Sequence, residues 1–274
     1  MEAVCQVCMH HCKLKPDQWG FCRARKNENG EVVCKNYGRI SSLALDPIEK
    51  KPLNLFYPGS RILSVGSFGC NLRCSFCQNH EISMTEPEEG MPYISPQELT
   101  EQALACRKMG NIGVAFTYNE PLVGWEYVLD TAKLVKEQGM KNVLVTNGTA
   151  SLEVLETLLP FIDAMNIDLK GFREEYYQKI SGSLSAVKKF IARAAARCHV
   201  ELTTLIVPEE NDTVQEMEKE AQWIASLGKE IPLHVTRFFP RYHMQDREAT
   251  DVQQVYQLAQ TAGTYLEHVF VGNC

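Results

Sequence analysis

From about residue 61 onward, short apolar runs alternate with longer segments in which apolar residues recur every three to four positions. Such runs predict buried strands, and the longer segments predict amphipathic helices. The predicted strands are 62–68, 112–117, 142–146, 163–168, 200–207, 232–236 and 266–271. The predicted helices lie near 96–109, 122–138, 151–159, 173–180, 184–197, 213–227 and 250–262. Ser95 and Pro96 form a typical helix start, because serine caps the first N–H groups and proline fits the first helical position.

Strands and helices that alternate in this way predict an α/β fold with a parallel sheet and right-handed crossovers. Six or so repeats predict a partial or complete (β/α) barrel, in which the chemistry lies at the C-terminal ends of the strands. Polar residues follow several predicted strands at this end, at 117–121, 146–148, 168–170 and 234. Their shared position supports the barrel interpretation.

Residues 1–60 have a different pattern. They contain five of the eleven cysteines and polar turn signals such as 27–30, and they lack a long helical period. We therefore expect two domains: a small cysteine-rich, metal-binding module over 1–60 and the barrel over 61–274.

Composition restricts the function further. The net charge of −6 and the absence of a basic block argue against nucleic-acid binding, which depends on clustered Lys and Arg. No apolar run approaches the roughly 20 residues of a membrane span, and the first residues do not resemble a signal peptide. Most cysteines fall in two closely spaced sets, which favours metal ligation in a reducing cytoplasm over a secreted disulfide framework.

The first set is Cys70, Cys74 and Cys77, spaced C-x3-C-x-Phe-C directly after a predicted strand. Three thiolates this close can ligate three irons of one cubane cluster. Iron–sulfur clusters normally take four cysteines, and no fourth is nearby, so the fourth iron would be free for an exogenous ligand. The alternative is a structural zinc site, but such sites are closed by four ligands.

The second set is Cys5, Cys8, Cys12 and Cys22, with His10, His11 and Cys34 nearby. Four cysteines are enough to close a site. Zinc would stabilise the small module, and an auxiliary iron–sulfur cluster could also pass electrons. The sequence leaves both metals open. Cys106 and Cys198 lie in or beside predicted helices and are interpreted as small buried hydrophobic residues.

The first cysteine set resembles the cluster motif of the radical S-adenosylmethionine (SAM) superfamily. Further motifs resemble the activating enzymes of glycyl-radical enzymes and, more closely and over nearly the whole chain, the radical SAM member of the AmmeMemoRadiSam system. These motifs are at 46–53, 58–60, 77–79, 118–121, 146–148, 168–172 and 269–273. Three positions differ from activating enzymes: Tyr118 and Asn119 replace a Gly-Gly pair, and Val145 replaces an aspartate that helps to hold a monovalent cation.

The resemblance implies a [4Fe–4S] cluster on Cys70, Cys74 and Cys77, whose open iron chelates the amino and carboxylate groups of SAM. It also implies a set of SAM contacts: Phe76, Glu120, Asn147, Asp168, Lys170, Val207 and His234. In this set Lys170 suits the SAM carboxylate, and the backbone near Phe76 and Val207 suits the adenine. The charged segments 46–51 and 237–241 are candidates for a substrate channel or for solvated loops.

The implied reaction is reductive cleavage of SAM to methionine and a 5′-deoxyadenosyl radical, which abstracts hydrogen from a substrate. An external electron donor of the flavodoxin or ferredoxin type would supply the electron. We expect an activating-enzyme-like oxidoreductase that acts on a protein partner. The alternatives are modification of a small molecule or peptide, and a non-catalytic metal or cluster carrier; the polar residues retained at several strand ends argue against the carrier.

Overall fold

The computed structural model describes residues 1–84 and 90–274. The chain begins with two short antiparallel hairpins, β1 (Ala3–Val4) with β2 (Lys13–Leu14) and β3 (Arg25–Glu28) with β4 (Glu31–Cys34). The turn between β3 and β4 uses Asn29 and Gly30, both with positive φ, as tight two-residue hairpin turns require. The predicted turn at 27–30 is therefore confirmed.

One eight-stranded sheet forms the centre of the molecule, in the order β12-β11-β10-β9-β8-β7-β6-β5. The strand β5 runs antiparallel to β6, and β6 to β12 are all parallel. The strands are β5 (Ser42–Pro47), β6 (Arg61–Gly66), β7 (Asn111–Phe116), β8 (Lys141–Thr146), β9 (Ala164–Asp168), β10 (His199–Ile206), β11 (Leu233–Arg237) and β12 (Val269–Gly272). All seven predicted strands are confirmed, and β5 is additional.

Helices connect the parallel strands, as the periodicity predicts. They are α1 (His80–Ser83), α2 (Pro96–Ala105), α3 (Trp125–Glu137), α4 (Leu152–Leu158), α5 (Glu174–Lys179), α6 (Leu184–Ala195), α7 (Val214–Leu227) and α8 (Val252–Ala262). All but α1 were predicted. The start of α2 is a full capping box, since Ser95 accepts from the Glu98 N–H and the Glu98 carboxylate accepts from the Ser95 N–H.

The two edge strands, β5 and β12, do not pair with each other in the described part of the chain. The sheet is therefore a partial barrel with an open side between them, and this decides between the partial and complete barrels that the sequence allows. β5 falls within the predicted N-terminal module but pairs along its whole length with β6. The domain boundary at residue 60 stays a prediction.

The segment that follows β5 fills the N-terminal end of the barrel. Ile48, Leu53 and Phe56 are buried and pack against one residue from each of the four neighbouring strands, namely Ile62, Ala115, Val143 and Ala164. Alternate residues of these strands pack with the helices in the main core. The opposite, C-terminal end is left for the site. Among the described residues, no helix is long and apolar enough to cross a bilayer.

Candidate active site

The cysteine loop starts directly after β6 and turns at Gly69. This glycine has φ +90°, and a Cβ there would lie only 2.7 Å from Ala24 Cβ and from the Cys22 carbonyl oxygen. Only glycine fits such a close approach in this backbone conformation. Gly69 thus fixes where the loop leaves the barrel.

The loop forms one wall of a cavity of about 680 Å³ at the C-terminal ends of the parallel strands. This volume falls within the range of roughly 300–1,000 Å³ that is typical of small-molecule sites. Cys70, Cys74 and Cys77 all line it. The structure therefore brings the three predicted cluster ligands together around one space, at the end of the barrel where chemistry was expected.

Most of the predicted SAM contacts line the same cavity: Phe76, Glu120, Asn147, Asp168, Lys170 and His234. Val207 does not line it and is fully buried in the core, whereas Thr203 and Leu205 of the same β10 region do line it. Val145, which stands where activating enzymes have aspartate, also faces the cavity. Within 46–51 the lining residues are 49–51, and no residue of 237–241 contributes.

Glu120 is a buried carboxylate that joins the ends of β7 and β8. It accepts hydrogen bonds from the Thr146 hydroxyl at 2.7 Å, the Asn147 N–H at 2.8 Å and the Leu122 N–H at 3.0 Å. Burial raises the pKa of Glu120 to about 7, although these hydrogen bonds lower it in part. A carboxylate in this position is suited to a cationic group such as an amine, because a nearby positive charge favours the ionised form.

Asp168 and Lys170 form an ion pair at the end of β9, with Nζ 2.7 Å from Oδ2. Leu169 between them is fully buried, so the alternation that predicts a shared face for the pair is confirmed. Burial acts to lower the pKa of Lys170, but the Asp168 carboxylate raises it above its usual value overall. Lys170 is therefore a permanent cation beside the cysteines.

His234 on β11 is held by a buried carboxylate, Glu201 of β10. Its Nε2 lies 2.7 Å from Glu201 Oε2. The His234 side chain lines the cavity, and Nδ1 is the ring nitrogen that Glu201 does not contact. Glu201 also contacts His199 Nε2 and accepts from the N–H groups of Asn54 and Leu55. Burial acts to raise the pKa of Glu201, but these four hydrogen bonds together lower it to about 2.

Tyr118 is the first residue of the Tyr118-Asn119 pair, which replaces the Gly-Gly pair of activating enzymes. Its φ is +73°, in the left-handed region that favours glycine. Two contacts offset the strain: the hydroxyl donates to Asp46 Oδ2 at 2.7 Å, and the Lys51 ammonium lies 4.6 Å from the ring centroid. Lys51 also binds Asp46 at 2.9 Å. Asp46, Lys51 and Tyr118 thus form a connected charged cluster at one edge of the cavity, which the sequence pattern alone did not reveal.

Asn119 and Asn71 are structural residues that the sequence interpretation missed. Asn119 accepts from the Ser67 N–H and donates to the Phe68 and Gly69 carbonyls, so it fastens the cysteine loop to the end of β7. Asn71 is 1% exposed, and its Oδ1 accepts from Asn147 Nδ2 at 2.9 Å. Asparagine in a loop usually indicates a turn, so a sequence signal for these long-range contacts was lacking.

The second cysteine set gathers in the N-terminal module. Cys5, Cys8 and Cys22 are buried, and Cys12 is half-buried. The Cys5 N–H donates to the Cys12 carbonyl at 2.9 Å, which brings together the two ends of the loop between β1 and β2. Cys8 lies within electrostatic range of Cys5 and Cys12, and Cys22 within range of Cys5 and Cys8. The four predicted ligands are thus neighbours.

In the described ranges 1–84 and 90–274, no three His, Cys, Asp or Glu side chains are already arranged as a metal shell. This holds for both cysteine sets. A thiolate shell closes with its metal, because ligand deprotonation and metal binding are coupled. The donor chemistry of the first set fits a cluster, because three thiols line one side of the cavity. An anionic side chain, Asp168, and a cationic one, Lys170, line the same cavity.

Comparison with known proteins identifies the family. Residues 64–224, more than half of the chain, match the Radical SAM superfamily, and the chain belongs to that superfamily. Membership implies a [4Fe–4S] cluster and SAM as the cofactors.

Individual relatives agree with this family. The chain is 38% identical over 274 residues to an uncharacterized protein of Methanocaldococcus jannaschii, covering 98% of this chain and 80% of that one. It is 30% identical over 155 residues to the pyruvate formate-lyase-activating enzyme of Clostridium pasteurianum, covering 52% and 63% respectively. The fold is similar to that of Streptococcus suis SuiB bound to S-adenosylmethionine, with a TM-score of 0.61, 12% identity, and coverage of 78% of this chain and 52% of SuiB.

Proposed function

We propose that this radical SAM enzyme acts on a protein partner, in the manner of a glycyl-radical activating enzyme, and that it is the radical SAM member of the AmmeMemoRadiSam system. The observation that carries the proposal is the shared cavity, where Cys70, Cys74 and Cys77 face the Asp168–Lys170 pair and Glu120. When bound, the cluster and SAM supply the 5′-deoxyadenosyl radical. The chain's own residues bind and orient SAM and exclude water.

The charges of the cavity match the two charged groups of the SAM methionyl part. Lys170 is a cation suited to the carboxylate, and Glu120 is a buried carboxylate suited to the amino group. His234, held by Glu201, is positioned to present Nδ1 to the ribose. Such fixed partners orient the sulfonium before the electron arrives, which is how a binding site contributes to the rate.

The open side of the barrel supports a protein substrate. The cavity is lined on one side by 49–52, in the segment after β5, and on the other by 270–273, at the end of β12. β5 and β12 do not pair with each other in the described residues, so the sheet is open beside β12, where 270–273 line the cavity. A loop of a partner protein could enter there and present a C–H bond to the cavity.

Two further parts belong to this proposal. An external one-electron donor of the flavodoxin or ferredoxin type reduces the enzyme, and the N-terminal cysteines Cys5, Cys8, Cys12 and Cys22 hold zinc or a second iron–sulfur cluster. The neighbouring positions of these four thiols support the metal site. The reducing cytoplasm is the compartment that suits both centres.

The proposal is tested by anaerobic reconstitution with iron and sulfide, followed by incubation with dithionite and SAM. We expect 5′-deoxyadenosine from the wild-type protein and none from Cys74→Ala. Cys106→Ala is the matched control, because Cys106 lies outside both cysteine sets and should leave the product unchanged. Absence of 5′-deoxyadenosine from wild-type protein with a full cluster would contradict the proposed function.

A deuterium experiment tests the protein partner. The candidate partners are the proteins encoded by the genes next to the one for this enzyme, expressed with deuterated amino acids. One of these proteins should transfer deuterium into 5′-deoxyadenosine and carry the change that hydrogen abstraction leaves on it. If deuterium comes instead from a low-molecular-mass fraction, the substrate is a small molecule or peptide and the protein-partner part of the proposal is wrong.

A further inference from the structure

The N-terminal module contacts the cysteine loop through the backbones of two cysteines, one from each set. The Cys70 N–H donates to the Cys22 carbonyl at 3.2 Å. At the preceding position, Gly69 lies so close to Cys22 and Ala24 that no side chain fits between the two segments. The path from the Cys22 thiol to the Cys70 thiol therefore crosses the atoms of two residues and a single hydrogen bond.

A second connection runs through Asn71. Thr149 accepts through its carbonyl from the N–H of Met9, the residue after Cys8, at 3.4 Å, and through its hydroxyl from Asn71 Nδ2 at 2.8 Å. The Asn71 Oδ1 in turn accepts from Asn147 Nδ2 at 2.9 Å. The same Asn147 nitrogen lies 3.8 Å from Cys70 Sγ. Thr149, Asn71 and Asn147 are all buried, so this chain of contacts from Met9, next to Cys8, to Cys70 is shielded from solvent.

We propose that Cys5, Cys8, Cys12 and Cys22 hold an iron–sulfur cluster that receives electrons from the external donor and passes them to the centre at Cys70. This inference rests on the proposed function, because it takes the centre at Cys70, Cys74 and Cys77 as the acceptor. It assigns the metal that the four-cysteine spacing leaves open. It also gives a reason for the direct backbone contact between the two sets.

The electron balance is simple. The one-electron donor, of flavodoxin or ferredoxin type, is oxidised by one electron, and the N-terminal centre gains and then loses that electron. The centre at Cys70 gains it and delivers it to the SAM sulfonium, whose carbon–sulfur bond breaks to methionine and the 5′-deoxyadenosyl radical. No proton moves in these steps.

The surroundings of the four thiols favour iron over zinc. Burial is one of the features that set the reduction potential of an iron–sulfur cluster, and Cys5, Cys8 and Cys22 are buried. A structural zinc needs only to hold the module together, and nothing in that role requires contact with Cys70. Cys34, the fifth cysteine of the module, donates through its thiol to Asn36 Oδ1 at 3.1 Å and is not one of the four proposed ligands.

The metal is tested in the Cys70→Ala/Cys74→Ala/Cys77→Ala triple variant of the full chain, reconstituted anaerobically with iron and sulfide in the presence of zinc. We expect this protein to retain iron and sulfide and to show a paramagnetic signal after reduction with dithionite. A folded triple variant that holds zinc and no iron, or no metal at all, would overturn the proposal. The readout is metal content and spectrum, so it does not depend on SAM cleavage.

The relay is tested by comparing two reductants. For each variant, the rate of 5′-deoxyadenosine formation with a flavodoxin–reductase pair is divided by the rate with titanium(III) citrate, which reduces exposed centres directly. We expect Cys22→Ala to lose most of this ratio and Cys34→Ala, the control in the same module, to keep the wild-type ratio. An unchanged ratio in Cys22→Ala would overturn the relay.

Asn71→Ala keeps the test valid if Cys22→Ala fails to fold, because it removes the second connection and leaves all four thiols in place. It should retain both centres by iron content and lower the same ratio; an unchanged ratio would refute the role of Asn71. Wild-type protein that binds iron at the N-terminal set but never cleaves SAM would refute the proposed function and leave this metal assignment standing. The two failures are therefore distinguishable.

Discussion

Glu201→Gln removes the charge of the buried carboxylate that holds His234 while keeping its shape. The Asn54 N–H donates to Oε2 and the Leu55 N–H to Oε1, so only one of these two groups can still donate to the remaining oxygen of glutamine, and the other faces the new amide nitrogen. The amide nitrogen also faces a histidine nitrogen that the carboxylate had accepted from. We therefore expect the variant to fold but to be less stable, and to hold His234 in a less defined position.

The size of the loss follows from the pKa of Glu201, which is about 2 in the folded protein against an ordinary value of 4.5. At about 1.4 kcal/mol per pKa unit, this carboxylate contributes about 3 kcal/mol of stability at neutral pH. Because the folded-state pKa is depressed, the contribution is complete above pH 4.5 and is lost as the pH falls toward 2. At pH 3 about 1 kcal/mol should remain.

The assay is urea unfolding of wild-type protein and Glu201→Gln between pH 7 and pH 3. Glu220→Gln is the matched control, since Glu220 of α7 is also a buried carboxylate but has its pKa raised by burial to about 8. At pH 7 the folded state therefore favours protonated Glu220, which glutamine mimics, so this variant should lose no stability and should gain relative to wild type as the pH rises. If Glu201→Gln were as stable as wild type at pH 7, or if its loss did not shrink at low pH, the account of Glu201 as an ionised, fourfold-bonded carboxylate would be wrong.

Three other predictions concern the cavity. Lys170→Ala should weaken SAM binding, measured by calorimetry, about ten- to a hundred-fold at unchanged iron content, since a charge-assisted bond is worth roughly 1.5–3 kcal/mol; a change below about two-fold would contradict the assignment of Lys170 to the SAM carboxylate. SAM affinity should rise as the pH increases through about 7, because Glu120 then ionises beside the SAM amino group. Glu120→Gln should make SAM affinity less dependent on pH. A pH profile identical to that of wild type would show that Glu120 does not face the amine. Gly69→Ala should lower the melting temperature more than Gly59→Ala, because both glycines have positive φ but only Gly69 has atoms within 4 Å of the added Cβ; equal shifts would mean that the close packing on Cys22 is unimportant.

Much of the fold follows from local sequence patterns. The seven parallel strands and their helices were predictable because each is a buried apolar run or an amphipathic segment, and Ser95-Pro96 caps its helix by purely local bonds. β5 was not predictable in this way. Leu43 and Leu45 alternate with small and charged residues, and its place in the sheet depends on pairing with β6. Antiparallel pairing at a sheet edge is decided by tertiary contacts, which a local pattern does not contain.

The site was predictable to the extent that its residues lie at strand ends. Asp168 and Lys170 face one cavity because side chains alternate along β9, and the cysteine spacing identified the loop. Val207 was assigned to the adenine from the resemblance alone; it follows the end of β10 at Ile206 with its side chain buried, and its contact with SAM stays a prediction. Glu201 was missed because a glutamate in the middle of an apolar strand gives no sign of partners about 33 and 147 residues away.

We propose that the cluster at Cys70, Cys74 and Cys77 has an open iron that binds SAM. The most direct test is electron–nuclear double resonance on reduced wild-type protein with SAM labelled at the amino nitrogen or the carboxylate oxygens. We predict hyperfine coupling from both labels to the cluster, and its loss in the Cys70→Ala/Cys74→Ala/Cys77→Ala variant. A reduced cluster in wild-type protein that shows no coupling to either label, at SAM concentrations that saturate binding, would contradict the account.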